Sequence, residues 1–455
     1  MIFVLFGGLL MASGGGDFFT QLAMRVAGNG PGNSAKVAVT ASALFGTVSG
    51  SAVSNVMSTG IMTIPLMKRA GFRGAQAGGI EAVSSTGGQL MPPVMGAAAF
   101  LMAEILQVPY KTVALAALLP AVLYYISLYC QIDFISRRDS IASLKDIQRN
   151  TFATVVKDGW LAIVAFTVLL SCIFYWNMRA EVAAVWAIAA LVAGGLVLGL
   201  TRRTTQGMTP RQVLTAVIDT GRNTCDVLLI TAVAGMIIGL LSTTGFGFAL
   251  SLYLLDFGGR SMFGLLLLTA AISIVLGLGL PTTGVYLLLA SLAAPSLVEL
   301  GIEPIAAHMF VLYYGILSMI TPPIALASFA AASLSAATKS ATELEAFRFG
   351  WIAYFLPFLF IYKPGLLLVG SWFHIGYVFA SSLMALVLVT GGLVGHALRP
   401  LNPLLRVVWA VVGLLVIMPL AEFGGHTLEY AVSALGAVLL VLSPALSPKS
   451  APVKA

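Results

Sequence analysis

Long apolar segments alternate with short polar segments along the whole chain. A helix needs about 20 apolar residues to cross a hydrocarbon layer about 30 Å thick. Backbone groups inside lipid must also find their hydrogen bonds within the protein, which favours helices. The pattern therefore predicts an all-α polytopic membrane protein. The clearest apolar segments are Trp160–Trp176, Val182–Leu200, Leu228–Leu241, Trp351–Leu368, Ile375–Val394 and Val407–Leu420.

The chain also resembles itself at a fixed spacing. When it is shifted by 230 residues, several glycines and prolines coincide, and both residue types restrict backbone geometry. Residues 1–107 and 231–337 therefore look like two copies of one unit, as in many secondary transporters. The coinciding pairs include Leu10 and Leu240, Gly15 and Gly245, Phe18 and Phe248, Leu22 and Leu252, Gly28 and Gly258, Pro65 and Pro295, Gly71 and Gly301, and Pro92-Pro93 and Pro322-Pro323.

The repeat suggests four parts. They are a first transport repeat (1–108), scaffold helices (109–204), a second transport repeat preceded by an amphipathic arm (205–337), and C-terminal scaffold helices with a polar tail (338–455). In the second part of the chain, a polar segment, Thr205–Arg222, precedes a helix over Thr224–Thr243. By the same offset, Met1–Ser13 is the tail of a helix that is cut short. We therefore expect that an N-terminal portion is missing or lies on another chain.

Each copy contains two apolar arms joined by a polar, glycine-rich turn. The arms are short for full crossings, so we predict a re-entrant hairpin in each copy. In copy one the arms are Lys36–Phe45 and Val56–Met67, around the turn Gly46–Asn55. In copy two they are Met262–Leu276 and Val285–Leu300, around the turn Gly277–Gly284.

Each copy also contains a helix interrupted by Pro-Pro, which removes backbone donors and prevents a regular helix. The interrupted segments are Ser84–Pro93 and Ser318–Pro323. Broken helices at membrane depth are tolerated where they line a cavity or bind a ligand. The positive ends of half-helices suit a carboxylate, and unwound carbonyls with hydroxyl and amide oxygens suit Na⁺. The alternative is that these residues only kink helices or let them pack closely.

Charge is scarce, which changes what the few ionisable residues mean. Of the 455 residues, 59% are hydrophobic and 9% are charged, whereas soluble proteins carry about 25% charged residues. The net charge of +7 arises from basic residues in short loops, which predict cytoplasmic anchors rather than nucleic-acid binding. Glu81 precedes the first break within an apolar region, so it is a candidate for carrying a proton or an ion. A helix-end or structural role for Glu81 is the alternative.

Long stretches around these breaks resemble the large membrane subunit of the TRAP (tripartite ATP-independent periplasmic) transporters. They are FGTVSGSAVSNVMSTGIMTIPLMKRAGF, EAVSSTGGQLMPPVMGAAAFLMAEILQVPY, GLGLPTTGVYLLLASLAAPSLVELGI and GILSMITPPIALASFAAASL. In sequence, the chain is most similar to the fused permeases of the TAXI branch, over about residues 1–365. Compared with those permeases, the N-terminal small-subunit-like portion is absent.

The resemblance implies an elevator-type transporter in a bacterial or archaeal inner membrane. It implies import of small organic acids, carboxylates or dicarboxylates, delivered by an extracytoplasmic substrate-binding protein, with Na⁺ or H⁺ as coupling ion and no other cofactor. A missing small membrane subunit is another implied partner, beside the lipid bilayer. The residues expected to bind the cation and the substrate are Ser49, Gly50, Ser51, Ser54, Asn55, Ser85, Thr86, Gly87, Gly88, Pro92, Gly279, Pro281, Thr282, Thr283, Ser318, Thr321 and Pro322.

Two alternatives remain open at this point. The first is a standalone Na⁺/carboxylate elevator symporter that needs no binding protein. The second is a membrane scaffold that transports nothing. No Ser-His-Asp set, His-Glu metal motif or phosphate-binding loop is visible, so we do not expect an enzyme or an ATP-driven pump.

Overall fold

The computed structural model describes residues 2–144, 151–201, 207–245, 261–397 and 399–446, together with residues 249, 252, 253 and 256. The first half contains α1 (Ile2–Ala12), α2 (Gly15–Val26), α3 (Asn33–Ser49), α4 (Ala52–Ala70), α5 (Gly74–Gly88), α6 (Ala97–Ile105), α7 (Tyr110–Arg138), α8 (Phe152–Asp158), α9 (Trp160–Leu170), a π-helical turn (Ser171–Tyr175), α10 (Ala180–Thr201) and α11 (Pro210–Thr243).

The second half continues with α12 (Met262–Gly277), α13 (Thr282–Leu292), α14 (Ala294–Glu299), α15 (Pro304–Leu317), α16 (Leu326–Ser335), α17 (Lys339–Phe349), α18 (Trp351–Tyr362), a 3₁₀ turn (Pro364–Leu367), α19 (Trp372–Val394), α20 (Pro403–Ile417) and α21 (Leu420–Leu446). A non-helical Gly425 interrupts α21.

The all-α polytopic prediction is confirmed. Within the described residues, four helical stretches are long and apolar enough to cross a membrane, or up to six if two bent pairs each count as one span. The stretches are Tyr110–Arg138, Ala180–Leu200, Lys339–Tyr362 and Trp372–Val394. The bent pairs are α1 with α2, at 76°, and α8 with Trp160–Tyr175, at 73°.

The first hairpin consists of α3 and α4, and its turn is much shorter than predicted. Only Gly50 and Ser51 are non-helical, whereas the sequence suggested a turn over Gly46–Asn55. Gly50 has φ +62°, a left-handed conformation that ends α3 at low cost for a glycine. The Ser51 hydroxyl then accepts a hydrogen bond from the Ser54 N–H and starts α4. One glycine followed by one capping serine is therefore enough to reverse the chain.

The second hairpin consists of α12 and α13, separated by Leu278–Pro281. Its turn lies inside the predicted segment Gly277–Gly284, with Gly279 at φ +79°. The second arm differs from the prediction, because Val285–Leu300 is divided between α13 and α14 at Ala293. The proline that follows at position 295 is tolerated in the first turn of α14, where its missing N–H is not needed.

Both Pro-Pro helices are broken, as predicted, but the first interruption begins later than the predicted Ser84–Pro93, because Ser84–Gly88 are still helical in α5. α5 ends at Gly88 and α6 begins at Ala97, and α15 ends at Leu317 before α16 begins at Leu326. The two breaks have matching backbone conformations at the 230-residue offset, since Met95 has φ +60° and Ala325 has φ +43°. The Pro-Pro peptide bond is cis in each. The two segments are therefore alike in backbone geometry as well as in sequence.

The similarity between the copies extends beyond residues 107 and 337. Tyr124 on α7 donates a hydrogen bond to the Val83 carbonyl on α5, at 2.7 Å. Tyr354 on α18 lies at the same offset, and its hydroxyl is 2.7 Å from that of Thr321 in the second break. An ion pair between Lys36 and Asp133, at 2.6 Å, also attaches α7 to the first hairpin. These contacts join α7 to the first copy, although the boundary at 108 stays a prediction.

The segment that precedes the second copy is one long helix rather than two elements. α11 runs without interruption through the predicted junction between an amphipathic segment and the helix Thr224–Thr243, because nothing in that stretch stops a helix. Residues 205 and 206 of the predicted segment lie outside the described residues. In the first copy, Gly14 at φ +85° separates α1 from the amphipathic α2.

The three predicted C-terminal apolar segments form α19, α20 and α21. Helix α19 packs against α7 and α20. A buried ion pair joins the loop before α19 to α21, with the Lys363 ammonium 2.9 Å from the Glu429 carboxylate. The same ammonium donates to the Val416 carbonyl of α20, at 2.9 Å. One lysine therefore connects the last two helices to the end of α18.

Replacing one member of this pair leaves the other charge buried, so Lys363→Met is expected to destabilise the protein by about 3–5 kcal/mol. The double variant Lys363→Met/Glu429→Gln removes both charges and should recover much of that loss. Thermal unfolding in detergent measures both effects. Ser433→Ala, which removes only the 3.1 Å contact with the Tyr377 hydroxyl, is the control, and a loss from it as large as that from Lys363→Met would contradict the assignment.

Candidate functional site

The first hairpin contacts the end of α5 closely through its backbone. A Cβ atom added to Gly46 would lie 2.5 Å from the Gly88 Cα, which leaves no room for one. The buried Asn55 side chain completes the contact, because its Nδ2 donates to the Ser42 carbonyl at 2.8 Å and to the Ser85 carbonyl at 3.4 Å. Asn55 thus binds carbonyl oxygens from both the opposite arm and the broken helix.

The second hairpin meets its own broken helix in a related way. The Ser318 hydroxyl lies 2.9 Å from the Gly277 carbonyl at the end of α12. A Cβ on Gly277 would lie 2.8 Å from that hydroxyl. Thr321 donates to the Leu317 carbonyl at 2.7 Å, which also accepts from the Ile320 N–H at 3.0 Å. Each predicted hairpin–helix pair is therefore in contact.

The two copies meet along several helices, since α16 packs against α4 and α5, and they also meet at Gln89, which directly follows α5. The Thr282 hydroxyl, at the first residue of α13, donates to Gln89 Oε1 at 2.5 Å. Gln89 is 2% exposed, and its Nε2 has no hydrogen-bond partner among the described residues. The amide therefore offers two unused N–H donors beside the positive end of α13.

Gln89 was not among the residues singled out from the sequence, although it stands inside the quoted segment between the glycines and Pro-Pro. Its side chain could have indicated a binding residue, since it is the only amide between Ser84 and Pro93. Its partner could not be predicted, because Thr282 is distant along the chain and reaches Gln89 only where the two copies meet.

The other predicted residues differ in burial and in their contacts. Thr86 bonds the Ala82 carbonyl within its own helix, and Gly87 packs against the Tyr124 ring. Ser54 and Pro322 are exposed, away from the buried contacts. Gly279 is exposed as well. The residues that are partly buried near a break, without a side-chain hydrogen bond to the other copy, are Ser49, Gly50, Ser51, Pro92, Pro281 and Thr283.

Glu81 is completely buried and is surrounded by hydroxyl groups. Its Oε1 accepts from Thr59 at 2.5 Å, from Ser42 at 2.7 Å and from Ser85 at 3.3 Å. Its Oε2 accepts from Thr63 at 2.6 Å. The carboxylate therefore connects both arms of the first hairpin to α5.

The second copy has no carboxylate at the position that corresponds to Glu81. At the 230-residue offset, Glu81, Ser42 and Thr59 correspond to Val311, Ile272 and Leu289, which are apolar. Because the second hairpin packs against its broken helix without a carboxylate, the fold does not require one. In the part of the chain that the structure describes, no ion pair neutralises Glu81. The hydrogen-bond partners of Glu81, namely Ser42, Thr59 and Thr63, were not predicted from the sequence. The spacing of Thr59 and Thr63 does place both on one face of α4.

The chemistry of the site is that of oxygen atoms and amide donors. The described residues contain no group of three or more His, Cys, Asp and Glu side chains that could hold a metal ion. Hydroxyl, amide and carbonyl oxygens instead favour a hard alkali cation. Gln89 Nε2 and the N-terminus of α13 favour an anion.

Comparison with known proteins adds an independent result. The family model described as "Tripartite ATP-independent periplasmic transporter, DctM component" matches residues 1–375. The chain is 24% identical over 360 residues, 79% of this chain and 82% of the relative, to the C4-dicarboxylate TRAP transporter large permease protein DctM of Pseudomonas aeruginosa. It is 25% identical over 335 residues, 71% of this chain and 74% of the relative, to the sialic acid TRAP transporter large permease protein SiaM of Vibrio cholerae.

The backbone contact between the first hairpin and α5 should not tolerate a methyl group. Gly46→Ala is expected to lower the unfolding temperature by several degrees, since the helices must separate to admit the Cβ. Gly221→Ala, a helical glycine with no atom within 4 Å of the added Cβ, should be neutral or stabilising. Equal effects of the two variants in a thermal unfolding assay would contradict this contact.

Each hydroxyl that donates to Glu81 is expected to contribute separately to the free energy of unfolding. Thr63→Val keeps the shape of the side chain but leaves Oε2 without its donor, so we expect a loss of about 1–3 kcal/mol. Ser58→Ala, on the exposed side of the same helix, removes only a bond to the Ser54 carbonyl and should change stability by less than about 0.5 kcal/mol. A denaturant titration of each variant in detergent compares them, and a neutral Thr63→Val would show that the hydroxyl is dispensable.

Proposed function

The chain belongs to the DctM-component family of tripartite ATP-independent periplasmic transporters, and from that premise we propose that it is the large permease of a cation-coupled importer of small organic acids. As a member of this family it is a multi-pass membrane permease and not an enzyme. The proposal adds the coupling ion, the dependence on an extracytoplasmic binding protein, the TAXI branch and the bacterial or archaeal inner membrane.

The observation that carries the proposal is the meeting of Thr282 and Gln89. A secondary transporter binds its substrate near the middle of the membrane, where its two repeats meet. Gln89 Nε2 lies at that meeting point with two unused donors, beside the N-terminus of α13. A carboxylate supplies the acceptors that these donors lack, and it complements the positive end of the helix. The relatives named for C4-dicarboxylates and for sialic acid support an acidic substrate.

The coupling cation fits the oxygen atoms at the two hairpin–helix contacts. Asn55 and Ser85 would hold it in the first pair, and Ser318 with the Gly277 carbonyl would hold it in the second. Their oxygens match what Na⁺ prefers. Glu81 is the candidate for a proton or for extra negative charge near the first site. The bound cation would supply positive charge beside the substrate, and loading both would make the driving gradient directional.

In the transport cycle that we propose, the hairpins and broken helices move together past fixed helices, as in an elevator. Helices α7 and α18 move with them, because Tyr124 and Tyr354 bond to the breaks. Helices α8 to α10 and α11 provide the fixed frame, completed by a small membrane subunit. The binding protein releases the acid beside the hairpin tips.

Uptake of labelled organic acid into proteoliposomes tests the function, with the genomically neighbouring binding protein and an inward Na⁺ or H⁺ gradient as variables. Gln89→Glu is nearly isosteric but places a negative charge where the substrate would bind, so uptake should fall by at least about tenfold, or about 1.4 kcal/mol. Thr282→Val should also reduce uptake, because it releases Gln89. Thr269→Val, at a buried hydroxyl of α12 without a partner, is the matched control.

The same assay separates the alternatives. A standalone symporter would import the acid without the binding protein. A scaffold would import nothing, and its function would survive substitution of Ser51, Asn55 and Thr282. Uptake that needs neither the binding protein nor an ion gradient would rule out the proposed mechanism.

A further inference from the structure

A cavity of about 550 Å³ lies between the first hairpin and the helices that frame it. On the hairpin side it is lined by Ser49, Ser54 and Ser58, next to the turn at Gly50. On the opposite side it is lined by the beginning of α11, and α1 closes it with Gly7 and Gly8. Its volume lies in the range of small-molecule sites, about 300–1,000 Å³.

The wall from α11 is polar and charged. It presents Arg211, Gln212, Thr215 and Asp219 to the cavity. Asp219 has a cationic neighbour, since its carboxylate lies 3.8 Å from the Arg222 guanidinium. Within the described part of the chain, no carboxylate lies at ion-pair distance from Arg211. The guanidinium is therefore the uncompensated charge of this cavity, and it carries up to five donors.

The hairpin wall supplies hydroxyls and no charge. Ser54 and Ser58 lie one turn apart on the exposed side of α4, and Ser49 Oγ is buried without a hydrogen-bond partner among the described residues. The turns and breaks themselves contain no lysine or arginine in 46–55, 84–93, 277–284 or 318–323. An acid that approaches the turn of the first hairpin therefore meets its positive charge on α11 and not on the turn.

We propose that this cavity is a binding site for a small carboxylate, in which Arg211 receives the negative charge and the serines of the first hairpin receive the rest of the molecule. The inference rests on the proposed function, since it places the acid on its way to or from the hairpin tips. It adds a binding residue that lies outside both hairpins. The nearby Asp219 opposes the anion, so the affinity is moderated and the acid can leave.

Labelling of a cysteine in the cavity tests the site without requiring transport. In a background with Cys130, Cys172 and Cys225 replaced by serine, Ser58→Cys reports the local potential through its rates with an anionic and a cationic thiosulfonate of equal size. Arg211→Gln should lower the anionic-to-cationic rate ratio by about fivefold, because one charge acts on the two reagents in opposite directions. Asp219→Asn should raise it by a similar factor.

Arg25→Gln is the matched control, since it makes the same charge change at an exposed residue that does not line the cavity. It should leave the ratio unchanged. Succinate should slow the labelling and neutral succinamide should not, and Arg211→Gln should abolish this protection. A ratio that is indifferent to Arg211→Gln, no labelling at all, or equal protection by the acid and the diamide would each overturn the proposal.

The site at Arg211 and the proposed transport function can be disproved separately. If the wild-type protein imports acids and Arg211→Gln changes neither labelling nor the KM for uptake, only the site at Arg211 is wrong. If the labelling ratio follows Arg211 and Asp219 as expected but no acid is imported under any gradient, the cavity binds anions and the proposed transport function is wrong.

Discussion

The need to satisfy every backbone polar group in a lipid environment governs this structure. An unbroken helix meets that need by itself, whereas each break leaves amides and carbonyls that must find partners in the protein. Asn55 supplies a donor to the Ser85 carbonyl near the end of α5, and Ser318 supplies one to the end of α12. At these two contacts the protein supplies the partners itself. At Gln89 Nε2 they are incomplete, and this is where a ligand has something to add.

Much of this architecture could be predicted from the sequence, because glycine, proline and long apolar runs act locally. The break after Leu317 and the turn around Gly279 were placed correctly on that basis, whereas the first break begins at Gln89 rather than at Ser84. The first turn was predicted too long, since serine, threonine and alanine next to glycine are compatible with helix when the arms pack closely. Contacts between distant segments could not be predicted, as the pairing of Thr282 with Gln89 shows.

The two copies share a backbone plan but differ in what they bury. The first has a carboxylate among hydroxyls, and the second has Val311, Ile272 and Leu289 at the corresponding places. Repeated units with the same fold and different interiors can divide tasks between them. The part of the chain that follows residue 375 lies beyond the family match, yet Lys363 fastens it firmly to the shared part through Glu429 and Val416.

The glycine contact between α3 and α5 has a mechanical meaning. Gly46 and Gly88 meet through main chain, and Asn55 and Glu81 add hydrogen bonds across the same contact, so the first hairpin is held to its broken helix at several points. The second joint contains the hydroxyl of Ser318, which can turn aside when one hydrogen bond breaks. The two hairpins are therefore held in different ways: the first by packed main chain and a buried carboxylate, and the second by a serine hydroxyl at its glycine contact.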